Sequence, residues 1–184
     1  MHRKPLLELL DGYGARHPED AATVARVRAL VEAHPECFER RCAPGHVTGS
    51  AFVISPDGRR SLLVHHRKLG AWLQPGGHAD GDPDVAAVAL REAHEETGLE
   101  RLAFAGAPGG RLPLDLDVHR IPARAGEPEH EHHDVRFLLI ADPGEVPRAS
   151  AESNAVRWFD LESLPGLGVD ASVLRMAEKV RRRW

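Results

Sequence analysis

The sequence predicts a mixed α/β domain preceded by a helical N-terminal extension, and three observations carry that expectation. Apolar residues recur at helical spacing through the first part of the chain, up to Pro35. From residue 46 onward the pattern changes to short apolar runs bounded by turn residues, as strands require. One helical pattern interrupts those runs after Pro83, and another closes the chain. The length of 184 residues suits one domain with an extension and is enough to bury a core. The boundary is placed between 1–44 and 45–184.

Taken in order, Leu6, Leu7, Leu9 and Leu10 make the first apolar patch, and Pro18 and Asp20 punctuate it. Val24, Val27, Leu30 and Val31 form a second helical stripe that Pro35 stops. Strands are expected at Ala51–Ile54 and Leu62–His65, joined through the turn Ser55-Pro56-Asp57-Gly58. A loop runs from Pro75 to Pro83, where Asp82 is the expected N-cap and Pro83 the first helical residue. That helix extends to Thr97 and stops at Gly98. Further strands are expected near Leu114–Ile121, Val135–Ala141 and Ala155–Phe159, with a loop at Ala123–Glu129. The final helix places Val173, Ala177, Val180 and Trp184 on one face.

With 24 basic against 28 acidic residues the formal net charge is −4. Nothing in that balance would neutralise a run of phosphates, so a duplex nucleic-acid partner is not expected. The basic stretch Lys179–Arg183 complements the negative end of the final helix. No apolar run reaches the ~18 residues a membrane span needs, and Met1–Pro5 leads into no signal-like segment. Cys37 and Cys42 read as two isolated buried thiols, and a cytoplasmic location is the expectation.

The most informative stretch is Arg91-Glu92-Ala93-His94-Glu95-Glu96-Thr97-Gly98-Leu99. On a helix, positions 92, 95 and 96 share one face, within the turns where the macrodipole disfavours negative charge. Two like charges ~4 Å apart repel by about 1 kcal/mol in water and about 4 kcal/mol at an effective dielectric of 20. A solvated acidic face with salt-bridge partners is one reading. A bound hard cation, Mg2+ or Mn2+ rather than zinc, is the other. Upstream, Gly76-Gly77 gives a backbone that can approach a ligand closely.

Together these residues closely resemble the Nudix box: Gly, five residues, Glu, seven residues, then Arg-Glu-apolar-x-Glu-Glu-x-Gly-apolar. Gly77 opens the pattern and Arg91–Leu99 completes it in register. The run Leu73-Gln74-Pro75-Gly76-Gly77-His78 resembles a bacterial subgroup of the family. One position departs. Pro83 stands where the family has its first Glu, with Asp80, Asp82 and Asp84 around it. The resemblance spans about residues 45–164. It implies an α/β/α sandwich around a mixed sheet, and Mg2+-dependent hydrolysis of a nucleoside diphosphate linked to another moiety, in the nucleotide-sugar, ADP-ribose or nucleoside-triphosphate class. Glu92, Glu95, Glu96 and the Gly76 carbonyl are the implied metal ligands. Glu92 or Glu95 is the expected general base, with Arg91 beside them and the 127–134 segment as second choice. Homodimers are common in similar proteins, so a homodimer is expected.

Cationic and polar residues flank this stretch, and Arg67, Gln74, His78 and His132 are the substrate-binding candidates. Trp72 reads either as a base-stacking ring or, more simply, as core. Twelve histidines are unusual, and they cluster at His130-Glu131-His132-His133-Asp134. As a strand, this segment turns His130, His132 and Asp134 one way and Glu131 and His133 the other. Zinc binding, contact with substrate phosphate and a solvated strand edge are the three readings. Glu152 reads as an ordinary loop carboxylate. The rival to an enzyme is a non-catalytic nucleotide-sensing module of the same fold.

Overall fold

The computed structural model describes residues 2–106, 111–124, 126–151 and 153–183. Helix α1 spans Lys4–Arg16 and α2 spans Ala21–Ala33. The strands are β1 (Gly45–Ile54), β2 (Arg60–His66), β3 (Ala71–Leu73), β4 (Gly76–His78), β5 (Leu102–Phe104), β6 (Asp115–Ile121), β7 (His130–Ala141) and β8 (Ser153–Asp160). Helix α3 is Val85–Thr97 and α4 is Ala171–Arg181.

The eight strands form one sheet with a path β3-β2-β1-β7-β5. It is mixed because β1 and β7 run parallel, from Gly45 opposite Glu131 to Ile54 opposite Ile140, while the other pairings are antiparallel. On its other edge β1 changes partner along its length. Thr48–Ser50 pair with β4 and Val53–Ile54 with β2.

Alternation along the two central strands separates two cores. Val47, Ala51 and Val53 of β1 and Val135, Phe137 and Leu139 of β7 pack with α1, α2 and α3. Phe52, Ile54 and Leu138 turn the other way and pack with Val173, Met176, Ala177 and Val180 of α4. Both faces are therefore covered, which gives the α/β/α sandwich. Leu6, Leu10, Val27 and Leu30 of the N-terminal helices share the first core with the sheet.

Several boundaries move from where local pattern places them. The helix N-cap is Asp84 rather than Asp82, its carboxylate accepting from the Ala87 amide at 3.0 Å. Asp82 instead accepts from the Asp84 amide at 2.9 Å, and Pro83 lies before the helix. The 75–83 segment is not all loop, because the backbone of Gly76–His78 pairs with β1. Strand β1 begins at Gly45 and β7 at His130, both earlier than expected. Their first residues are glycine, histidine and glutamate rather than an apolar run, so an apolar run is a poor guide to where they start. The short strands β3 and β5 carry too few residues to show a period. Gly98 ends α3 with φ at 67°, where a Cβ would be strained. Trp184 and Glu152 lie outside the described residues. No described helix is long and apolar enough to cross a membrane.

Candidate active site

The carboxylate face of α3 lies over β4. A Cβ on Gly77 would come within 2.5 Å of the Glu92 carboxyl group, so only glycine lets that side chain lie against the strand. The Gly76 amide donates to Glu96 Oε2 at 3.2 Å. Arg91 closes the arrangement by donating to the His78 carbonyl at 3.1 Å and to Glu92 Oε1 at 2.8 Å. Its remaining ion pair is long, 4.0 Å from Nε to Glu95 Oε1. Glu92 is largely covered at 17% side-chain exposure, whereas Glu95 is open to solvent at 63%. The hydrogen bond to Glu92 raises the Arg91 pKa further, against the opposing effect of burial. Arg91 therefore holds Glu92 and β4 together as a fixed cation.

The donors gathered here are hard oxygens, and Glu92 and Glu95 share a single guanidinium at the negative end of the helix. This set fits a divalent cation of the Mg2+ class. Asp84, one of the acids around the Pro83 departure, caps the helix and pairs with Arg111 at 3.2 Å, so it is turned to the opposite end of α3. Asp80 is held by a bidentate pair from Arg40, at 2.6 and 2.9 Å, which lowers its carboxyl pKa. A shallow cleft of ≈ 420 Å³ lies at that far end, between α1 and the start of α3, lined by Pro5, Leu9, Val85 and Arg111. It is away from the carboxylates and has no part in this site.

The substrate-binding candidates do not all converge. His78 and His132 meet each other, with ring centroids 5.0 Å apart, but on the sheet face away from α3 and not beside the carboxylates. Gln74 is half-buried two residues before Gly76, and its Oε1 lacks a hydrogen-bond partner. Arg67 is exposed in the turn between β2 and β3 and makes no ion pair among the described residues. Trp72 packs edge-on against Phe159 at 4.8 Å and joins the second core. The 127–134 segment is not one loop. From His130 onward it is strand β7, and only its first residues remain at the end of the β6–β7 connection.

Three features lay outside the sequence reading. Arg40, at the end of the N-terminal segment, reaches Asp80 beside His78. His46 and His119 join the histidine cluster, because His46 lies opposite His132 across β1–β7 and His119 lies opposite it across β6–β7. The only signal for them was a histidine at the start or middle of an apolar run, which no local rule distinguishes from a surface residue. Burial lowers the His46 pKa to about 4, aided by His78 and His130, and lowers that of His132 for the same reasons. Both imidazoles are neutral near pH 7.

The third feature is an ion-pair network on the same sheet face. Asp134 accepts from Thr48 and Ser50 and pairs with Arg136 at 2.7 Å, so it does not join the histidines. Buried Asp115 meets Arg136 at 3.4 Å, Arg175 at 2.7 Å and Lys179 at 2.7 Å. Burial pushes the Asp117 carboxyl up, but the His119 hydrogen bond and the Arg136 and Arg175 charges outweigh it and hold it well below the usual range.

Comparison with known proteins agrees with this geometry. A family model described as NUDIX domain matches residues 45–178. A probable DHNTP pyrophosphohydrolase of Lactococcus lactis subsp. cremoris is 30% identical over 118 residues, covering 63% of this chain and 63% of that protein. An RNA pyrophosphohydrolase of Acidiphilium cryptum is 33% identical over 102 residues, covering 53% and 62%. The chain thus spans less than two thirds of the length of these relatives. In fold it is similar to an Ap4A hydrolase of C. elegans, with a TM-score of 0.58 and 17% identity over 74% of this chain and 96% of that one. Because the family match covers well over half of the sequence, and its glycine strand and carboxylate helix meet face to face here, the chain belongs to the Nudix domain family.

Proposed function

We propose that the protein is a metal-dependent pyrophosphohydrolase that cleaves the diphosphate linkage of a nucleoside diphosphate joined to another moiety. The observation that carries this reading is the Glu92 carboxylate lying against Gly77, with Arg91 tying it to β4. Glu92, Glu95, Glu96 and the Gly76 carbonyl would hold the ion, Mg2+ in this reading, with Mn2+ as the other oxygen-preferring choice. When bound, such an ion neutralises charge on the diphosphate and makes an attacking water more acidic.

The chain's own residues do the rest. Arg91 keeps Glu92 in one orientation and balances part of the local negative charge. Glu95, held only by a 4.0 Å ion pair and open to solvent, is free to accept a proton from water and is the favoured base. Arg40, held by Asp80 just beyond β4, can exchange one carboxylate oxygen for a phosphate oxygen. Arg67, exposed in the turn between β2 and β3, remains a candidate for contact with the substrate.

The names of the similar proteins, a DHNTP pyrophosphohydrolase and an RNA pyrophosphohydrolase, favour a nucleoside-triphosphate-like substrate, with nucleotide sugars and ADP-ribose as the alternatives. The test is a panel of these compounds assayed for phosphate release through a coupled phosphatase, with and without Mg2+. Turnover of at least one compound that vanishes without the ion is expected. Silence across the panel would favour the nucleotide-sensing reading instead.

A further inference from the structure

The register of β1, β4, β6 and β7 gathers five histidines on the sheet face opposite α3. Thr48 lies opposite His78, His46 opposite His132, and His119 opposite His132, so the side chains of all these residues point to one side. Gly77, by contrast, faces Glu92 of α3. The cluster is therefore separated from the carboxylates by the thickness of the sheet. Within it, His46 is 4.8 Å from His132 and 5.0 Å from His130, ring centre to ring centre.

Two details go beyond mere crowding. His46 is 1% exposed, and neither of its ring nitrogens has a hydrogen-bond partner, although its donor atoms lie within 4.8 Å of those of His130 and His132. A buried neutral imidazole carries one N–H and one lone pair, and both are left unsatisfied. The other detail concerns His130. Its Nδ1 is 2.9 Å from the Pro128 carbonyl, which can only accept, so Nδ1 carries the proton and Nε2 offers its lone pair. That Nε2 is 3.3 Å from His132 Nε2. Two nitrogens on one tetrahedral zinc, each bound at ~2.0–2.1 Å, stand about 3.3–3.4 Å apart.

A hydrogen bond from His132 to His130 would account for the second detail but not the first. A shared cation accounts for both. We infer that His46, His130 and His132 form a transition-metal site of the zinc class, on the sheet face opposite the carboxylate helix. Glu127, whose Oε1 is 3.8 Å from His130 Nε2, stands at the open side and supplies a fourth ligand. The nitrogen donors select a borderline ion such as zinc, whereas the oxygen donors on α3 select a hard one.

The experiment measures retained metal. The full chain and its Glu95→Gln variant are stripped with a chelator, loaded with Zn2+, dialysed and analysed for metal content. Each should keep one equivalent of zinc with Mg2+ in excess, and Co2+ substitution should give the intense visible bands of a tetrahedral nitrogen site. His132→Ala and His130→Ala should each lose the retained equivalent and the bands. Absence of retained zinc in the unmutated chain overturns the inference, as does zinc that survives both histidine substitutions. Should a histidine variant fail to fold, the Co2+ spectrum of the unmutated chain still decides, because octahedral oxygen coordination gives only weak bands.

Discussion

Two groups of carboxylates in this protein face different charge situations. Around Asp115, three cations, Arg136, Arg175 and Lys179, interlock with the carboxylates of Asp20, Asp115, Asp117 and Asp134, and Thr48 and Ser50 also donate to Asp134. On α3 compensation is thinner, since among the described residues the ion pairs of Glu92 and Glu95 are both to Arg91, at the negative end of a helix. The first group is complete in itself and joins α4 to β6 and β7. The second invites a positive partner. Clustered acids therefore mean structure or chemistry according to the cations that the fold brings to them, and their spacing alone does not tell which.

The largest expected effect is on the chemical side of this contrast. Glu95→Gln should reduce Mg2+-dependent turnover by roughly 10²- to 10⁴-fold while leaving the urea midpoint nearly unchanged. Turnover within a few-fold of the unmutated chain would remove Glu95 from the chemistry. Arg136→Met probes the structural side. It leaves buried Asp115 and Asp134 short of a cation, and equilibrium urea unfolding should show a loss of about 3–5 kcal/mol. A neutral result would mean that Arg175 and Lys179 compensate alone.

Gly77→Ala lies between the two. The added Cβ pushes the Glu92 carboxyl group away from the strand, and that side chain can move. Steady-state kinetics should show a drop of about 10²-fold for a displacement near 1 Å, with only a small change in thermal midpoint. A stability loss without a kinetic one would make the glycine purely architectural. The smallest effect is on pH dependence. Asp117 is held below its ordinary 3.8, so its contribution to stability is fully present above that pH and is lost as the pH falls below it. Urea unfolding between pH 5 and pH 2 should thus steepen in the unmutated chain and flatten in Asp117→Asn.

The carboxylate helix was readable in sequence because its information is local: a glycine pair, a fixed interval, and acids at helical spacing ended by Gly98. The alternation of His130, His132 and Asp134 was readable for the same reason. Their partners were not. His46 is far from His132 along the chain, and the parallel pairing of β1 with β7 is what places them side by side. Asp134 shows the limit well. Its face was foreseen, but Thr48, Ser50 and Arg136 claim it, and no spacing rule contains that competition.

The helices, the longer strands, the family pattern and the acids that a hard cation would need are thus legible in the sequence alone. The tertiary structure decided which of those acids already have their cations, that Asp84 caps the helix, and that the histidines of four strands meet on the face opposite α3. The physical reason is range. Periodicity, capping and turn chemistry act over a few residues, while charge compensation and ligand geometry depend on atoms that only a sheet register brings within reach.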